Sequence, residues 1–329
     1  MRILFWGGVV IGSVLLLWIL RAYGASALEI LQSAVSVPGM LLFVTAVVAT
    51  IVCLAWRWGY LLRGLTPSPP LLTLTLQRSA GHSLAVLIPS GKLGGDPLRA
   101  WLAMKRDVPA GDAVASVAAD RTLETVSSAP FSILFALLLL QHGIPELDRV
   151  LITVLIGTLA FIALVVVVAR ALRRGRGIVS ELVQRIAPEH TESPSSRTRV
   201  IKAAEAAAAT LIGQRRRLLV AFAAGLVANA LVGVEFLTLL FAFGLPHDMV
   251  AVVAAIFATG AAHTLPIPAG VGVLEGAQVW IFGMLGYPVE VGLAVGLAVR
   301  LRDLLWMVPG LLYMLVGTLK STIGGMSKA

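Results

Sequence analysis

Two arginine–carboxylate pairs with the same spacing stand in apolar surroundings. Arg121 lies three residues before Glu124, and Arg300 lies three residues before Asp303. Residues three apart share one face of a helix, so each pair predicts a charged patch on an otherwise apolar helix. A charge inside a membrane span costs about 2.5–3.5 kcal/mol on insertion scales. We therefore expect these groups to face the protein interior and to have a partner there.

Two interpretations of the pairs are open. In the first, each arginine binds its acidic neighbour, or a carboxylate across a two-fold axis, and locks the helices together. In the second, Arg121 and Arg300 face a central cavity and bind a phosphate or another anionic headgroup, which the planar guanidinium suits. Both can hold in different conformational states of one protein. Asp120 and Arg302 are further charges in these segments without a matching partner.

Each pair follows a break in the apolar sequence. The first break reads IPSGKLGGDP and the second reads PIPAGVG. Asp96 stands before Pro97 in the first, the usual pattern of an N-cap followed by proline at the first helical position. Such a helix would point its free N–H groups into a cavity where an anionic group could bind. Glu275 takes the matching place in the second copy without a following proline, so capping explains it less well.

The predicted substrate-binding residues are therefore Lys92, Asp96, Arg99, Arg121, Glu124, Glu275, Arg300 and Asp303. Glu235 and His263 are candidates for proton coupling. For Glu235 the favoured alternative is an ion pair with Arg57, Arg78 or Arg121, and for His263 it is hydrogen-bonded packing.

The sequence offers no motif for bond-breaking chemistry. The five histidines are scattered without metal-ligand spacing, and no hydrolase or phosphate-loop motif is present. We therefore expect no enzyme activity, no metal and no cofactor. A membrane enzyme acting on a lipid phosphate would need a convergent nucleophile or metal site.

The two breaks belong to an ungapped repeat with an offset of 179 residues. Fifty paired positions, from Gly81/Gly260 to Pro130/Pro309, hold ten identities. Chance gives about five in so apolar a chain, but the matches include a tryptophan, an arginine and three prolines. Paired apolar segments interrupted by Gly and Pro in two halves are typical of transporters built from repeats.

Composition assigns the chain to the membrane proteins. It is 58% hydrophobic and 13% charged, with a mean hydropathy of +0.92. We predict one all-α polytopic domain over residues 1–329, with about six full transmembrane helices and two re-entrant helical hairpins in an inverted repeat. Each repeat consists of a helix, a re-entrant hairpin and a long kinked helix. The predicted bounds are 38–141 for repeat 1 with its hairpin at 71–106, and 217–320 for repeat 2 with its hairpin at 247–287.

A basic segment sets the predicted orientation. Residues 171–217 hold ten Arg or Lys against four Glu, which indicates a cytoplasmic loop rather than a nucleic-acid site. Within this loop, Ile201–Leu211 is Ala-rich and predicted to be helical. Both chain termini then lie in the cytoplasm. Three crossings separate the hairpins, so the first is entered from inside, the second from outside, and the repeats are inverted.

The segments IPSGKLGGDPLRAW, ASVAADRTLE and LPIPAGVGVLEG resemble the lysylphosphatidylglycerol synthase transmembrane family, also called flippase-like. The resemblance covers nearly the whole chain. It implies translocation of a lipid or a lipid-linked headgroup across a bacterial cytoplasmic membrane. An acidic residue after a Gly pair and the Arg of the following helix recur in the family. Asp96 and Arg121 hold these positions here, with Asp in place of the more usual Glu.

From the resemblance we expect a lipid flippase or transporter whose substrate is an anionic or headgroup-modified membrane lipid. A phospholipid, an isoprenoid-linked lipid and a hopanoid-type lipid are all open. Synthase activity is not expected, because the family's best-known members carry it on a soluble aminoacyl-transfer domain that this sequence lacks. The alternative is a non-transporting membrane partner of a lipid-modifying enzyme or glycosyltransferase. A homo-oligomer or a complex with such an enzyme is also open.

Overall fold

The computed structural model describes residues 2–88, 94–141, 145–174, 180, 196–265 and 267–326. Within these residues the regular structure is helical and no strand occurs, which confirms the predicted all-α class. The helices are α1 (Arg2–Ser33), α2 (Val37–Leu62), α3 (Leu71–Leu87), α4 (Gly95–Met104), α5 (Ala110–Leu140), α6 (Pro145–Arg173), α7 (Ser196–Gly213), α8 (Arg215–Ala242), α9 (Met249–Thr264), α10 (Val273–Met284) and α11 (Val289–Met326).

Four described helices are long and apolar enough to cross a membrane: α2, α5, residues Asp148–Arg173 of α6, and α8. Each has at least 26 residues, against about 20 needed to cross the hydrocarbon core. The chain is a multi-pass membrane protein. With 32 and 38 residues, α1 and α11 also exceed this length, and the total of about six spans stays a prediction.

Each predicted hairpin consists of two short helices. In the first, α3 has 17 residues and α4 has 10; in the second, α9 has 16 and α10 has 12. A single 3-10 turn, Pro268–Gly270, lies between α9 and α10. The chain turns there through positive φ angles of 51° at Ala269 and 75° at Gly272. Entry of the hairpins into the membrane stays a prediction.

Glycines allow helix α3 to pack closely on both sides. A Cβ on Gly95 would lie 1.9 Å from the Gly81 carbonyl oxygen, so α3 and α4 touch backbone to backbone. On the other side, a Cβ on Gly310 of α11 would lie 2.2 Å from the Ser79 carbonyl carbon. Any larger residue at Gly95 or Gly310 would push α3 away, since backbone cannot yield as a side chain can.

The two predicted repeats interlock. Their opening helices, α2 and α8, form the most extensive helix–helix contact, and Gly39 of α2 lies against the backbone of Ala242. Helix α3 of the first repeat packs along α11 of the second, and α9 of the second contacts α5 of the first. Helix α3 also contacts the 3-10 turn of the second hairpin, so described residues of the two hairpins lie close together.

The Ala-rich stretch of the basic loop is helical, as predicted, and forms α7. A Cβ on Gly111 of α5 would lie 2.7 Å from the Ala203 side chain, so α7 packs tightly on the start of α5. Helix α8 then begins at Arg215, with Gln214 as the single residue between it and the end of α7.

We expect cysteine labelling to give the predicted orientation, because Cys53 is the chain's single cysteine and Cys53→Ala gives a clean background. In that background Arg106→Cys and Arg174→Cys should react only with a reagent on the cytoplasmic side. His247→Cys should react only from outside. All three positions are exposed. Reaction of Arg106→Cys and His247→Cys from the same side would contradict the inverted arrangement.

Candidate functional site

The buried carboxylate of Asp120, on α5, binds arginines from three other helices. Its Oδ1 accepts a hydrogen bond from Arg57 Nε of α2 at 2.7 Å. Its Oδ2 accepts one from Arg78 Nη1 of α3 at 2.5 Å and one from Arg99 Nη2 of α4 at 2.6 Å. Asp120 and Arg57 have no exposed surface, and Arg78 and Arg99 have less than 10%. Charge-assisted bonds of this length are among the strongest in proteins, so α2–α5 are joined at this point.

Glu124, one turn further along α5, extends this network. Its Oε2 accepts from Arg78 Nη2 at 2.6 Å and from Arg57 Nη2 at 3.4 Å. The Arg99 guanidinium stacks over the Trp58 ring at 4.5 Å. Three arginines are thus held by two carboxylates and an aromatic face, which leaves Arg57, Arg78 and Arg99 little freedom.

Arg121 is held more loosely than these three arginines. Its Nη1 lies 3.2 Å from Glu124 Oε1, which confirms the predicted pairing within α5, and its Nε lies 3.8 Å from Asp96 Oδ2. Its side chain is 29% exposed. Both of its carboxylate partners have a second arginine: Asp96 has Arg99 at 3.2 Å and Glu124 has Arg78. Arg121 can therefore move away without leaving a buried charge unpaired.

The expected capping roles of the two acidic residues are reversed. Helix α4 has Gly94 as its N-cap, and the Asp96 carboxylate, in the first turn, makes ion pairs instead of a capping bond. Glu275 does cap its helix, because its Oε2 accepts from the Gly272 backbone N–H at 3.0 Å. The expectation was wrong because the helix begins earlier than expected, at Gly95, which places Asp96 in its first turn, where the carboxylate pairs with Arg99 and Arg121.

Arg300 stabilises the turn between α9 and α10 through hydrogen bonds. Its Nε and Nη2 donate to the two oxygens of Glu275 at 2.7 and 3.0 Å. Its guanidinium also donates to the carbonyl oxygens of Ala269 and Gly270. The Arg300 guanidinium, which was expected to bind a phosphate, is therefore already hydrogen-bonded to the second hairpin.

The predicted Arg300–Asp303 pair does not form. Asp303 instead lies 3.4 Å from His263 Nε2 of α9 and 3.6 Å from Arg302 Nη1. Nor does Glu235 pair with Arg57, Arg78 or Arg121, as the sequence had suggested. Glu235 Oε2 accepts from Arg302 Nε at 2.6 Å and from Trp306 Nε1 at 3.2 Å. This second network joins α8 to α11.

A cavity of about 250 Å³ lies between the two networks. Both repeats line it: α3–α5 form one wall, and α8, α9 and α11 form another. The predicted site residues along it are Asp96, Arg99, Arg121, Glu124, His263 and Asp303. Glu235, Glu275 and Arg300 do not line it, and Lys92 lies outside the described residues.

Several lining residues were absent from the predicted set, including Arg78, His82, Asn229 and Arg302. The one signal that could have found Arg78 and Arg302 is a charge in an apolar segment, which predicts an interior position. Asn229 and His82 carry no comparable signal, since polar residues of this kind also occur as ordinary helix packing. Within the described residues, no group of three His, Cys, Asp or Glu could hold a metal ion.

Comparison with known proteins identifies the family. The family model described as the lysylphosphatidylglycerol synthase TM region matches residues 5–310. The match contains all helices of the site, from α2 to the Pro309 region of α11, which confirms the resemblance found in the sequence. No curated protein matches the chain.

We predict that Asp120→Asn strongly destabilises the protein, because three buried guanidinium groups would lose their shared carboxylate. Removal of one partner from a buried ion pair typically costs about 3–5 kcal/mol. Thermal unfolding in detergent would show the loss as a lower Tm. Asp107→Asn is the matched control, since Asp107 is exposed and its positive φ of 63° suits asparagine. Equal Tm values for both variants would contradict the proposed role of Asp120.

Proposed function

This chain belongs to the lysylphosphatidylglycerol synthase transmembrane family, and we propose that it is a lipid flippase or transporter. The family relates it to lipid handling in the membrane. Our finer proposal is that it moves an anionic or headgroup-modified lipid across the bacterial cytoplasmic membrane. The observation that carries this proposal is Arg121, a loosely paired arginine on the wall of a cavity formed by both repeats.

The proposed contact is between Arg121 and a phosphate of the lipid headgroup. The planar fork of arginine matches phosphate with two parallel hydrogen bonds. In exchange, Arg121 gives up its contacts at 3.2 Å to Glu124 and 3.8 Å to Asp96. Because Arg78 and Arg99 still hold these carboxylates, the exchange avoids the large cost of an unpaired buried charge. Arg121 is therefore the arginine best suited to alternate between protein and substrate.

The size of the cavity limits what it would hold. A volume of about 250 Å³ suits a polar headgroup and leaves the lipid chains outside. Exposed apolar residues lie on both hairpins, among them Ile88, Trp101, Leu265 and Trp280. We propose that the chains stay in the bilayer against these residues while the headgroup occupies the cavity.

The proposed topology explains how the headgroup site could become accessible from either side of the membrane. With both termini in the cytoplasm, α3–α4 would enter from inside and α9–α10 from outside. The headgroup site would lie where they meet, and small shifts of one repeat against the other would open it to either side in turn. No bond of the lipid breaks in this scheme, so the proposal includes no enzyme activity.

The second candidate, a non-transporting partner of a lipid-modifying enzyme, has one observation in its favour. In the apolar window of α6, only 6% of residues are buried within the chain. The exposed surface of α6 could contact lipid or another protein, including a second copy of this chain. Isolation of a stoichiometric complex, together with no lipid movement by the purified chain, would favour this candidate.

We predict that Arg121→Gln slows lipid movement by about tenfold or more, since a charge-assisted hydrogen bond contributes about 1.5–3 kcal/mol. Dithionite quenching of fluorescent phosphatidylglycerol in proteoliposomes would measure the rate. Arg199→Gln, at an exposed position on α7, should leave the rate unchanged. Arg121→Gln should retain most of its Tm, because the partners of Arg121 keep other arginines.

Arg300→Gln provides the matched comparison within the repeat. It should lower the Tm, because four hydrogen bonds that hold the second break would be lost. Normal lipid movement by a folded Arg121→Gln variant would contradict the role proposed for Arg121. Absence of lipid movement by the wild-type protein would contradict transport itself.

A further inference from the structure

Among the described residues around the cavity, the charges balance while the histidines are neutral. Six arginines face six carboxylates in the two networks and in the Arg300–Glu275 pair. They are Arg57, Arg78, Arg99, Arg121, Arg300 and Arg302, with Asp96, Asp120, Glu124, Glu235, Glu275 and Asp303. A bound monoanion would leave these described residues with one uncompensated negative charge. At membrane depth such a charge is costly, so a compensating cation would strengthen binding.

His263 is placed to provide that cation. Its ring lines the cavity, its side chain is 8% exposed, and its Nε2 lies 3.4 Å from Asp303 Oδ2. Histidine is the side chain whose ordinary titration range includes physiological pH. A proton on the ring would turn the contact with Asp303 into an ion pair.

The charged and titratable groups that share the cavity with His263 come from four other helices. They are Asp303 and Arg302 of α11, Arg78 and His82 of α3, Asp96 and Arg99 of α4, and Arg121 and Glu124 of α5. Glu235 of α8 and Glu275 of α10 lie on helices packed against α9 but outside the cavity lining. Each of these carboxylates except Asp303 has an arginine within 3.2 Å. Asp303 has only a longer contact, at 3.6 Å to Arg302. The proton is therefore best accommodated at the His263–Asp303 pair.

Resting on the proposed function, we infer that His263 and Asp303 form a proton-binding site, and that a monoanionic lipid headgroup binds and moves together with one proton. The proton adds to His263 from water on one side and returns to water on the other. The anion and the proton cross as a neutral sum. A pH gradient would then drive lipid movement, whereas the membrane potential would not.

The coupling works in both directions. If a bound anion favours the protonated pair, protonation must favour the anion by the same factor. The anion should therefore bind most tightly at low pH. Its affinity should fall by up to about tenfold per pH unit once the pH rises above the titration range of the complex.

The other two candidates for this proton are less well placed. Glu235 does not line the cavity, and its Oε2 is held by Arg302 and Trp306. His82 does line the cavity, but its ring packs against Trp306 with centroids 5.0 Å apart. His82→Gln therefore separates the two cavity histidines in an experiment.

The test is proton uptake on binding of dihexanoyl phosphatidylglycerol, a short-chain monoanion whose phosphodiester stays ionised from pH 5.5 to 8.5. Calorimetry of the full-length protein in buffers of different ionisation enthalpy counts the protons bound per lipid. We expect uptake that approaches one proton in the wild-type protein and in His82→Gln. In His263→Gln we expect no uptake and an affinity that does not change with pH.

Each result decides between the two proposals. Binding without proton uptake, at an affinity independent of pH, would overturn the proton site and leave lipid transport standing. Uptake lost in His82→Gln but kept in His263→Gln would overturn the assignment to His263. No binding at any pH would overturn both proposals. If His263→Gln fails to fold, the wild-type proton count and its pH dependence still decide.

Discussion

The structure depends on one constraint: a charge inside an apolar bundle must have a partner. Asp120 meets this constraint for three arginines at once, and the three lie on α2, α3 and α4. Because these arginines cannot be left unpaired in an apolar medium, the helices that carry them must converge on α5. The position of the first hairpin, and with it one wall of the cavity, follows from this convergence.

The two repeats share a pattern but differ in chemistry. At the offset of 179 residues, Arg78 corresponds to Phe257 and Arg99 to Gln278. The second repeat therefore lacks the arginines that hold the carboxylates of the first. In the second repeat, Arg300 forms the ion pair with Glu275, and this pair ties the Arg300 side chain to the hairpin. In the first repeat, Arg78 and Arg99 hold Glu124 and Asp96, so Arg121 can face the cavity.

Because of this asymmetry, the cavity walls formed by the two repeats have different roles in the proposed site. The first repeat contributes an arginine that can exchange one partner for another at little cost. The second contributes a histidine and a carboxylate with a long contact to a neighbouring arginine. A wall that binds an anion and a wall that can take up a proton are what a neutral transport step requires. Two identical repeats could not provide both.

The sequence by itself determined the all-α class, the apolar spans, the repeat and its breaks, because these follow from composition and local spacing. It also determined the Arg121–Glu124 contact, since residues three apart on a helix are neighbours. Only the tertiary structure decided the pairing of Glu235 with Arg302 and of Glu275 with Arg300, which are 67 and 25 residues apart. Any of several arginines could satisfy a buried carboxylate. The packing of the helices selects one, because the strength of an ion pair depends on distance and burial, neither of which is written in local sequence.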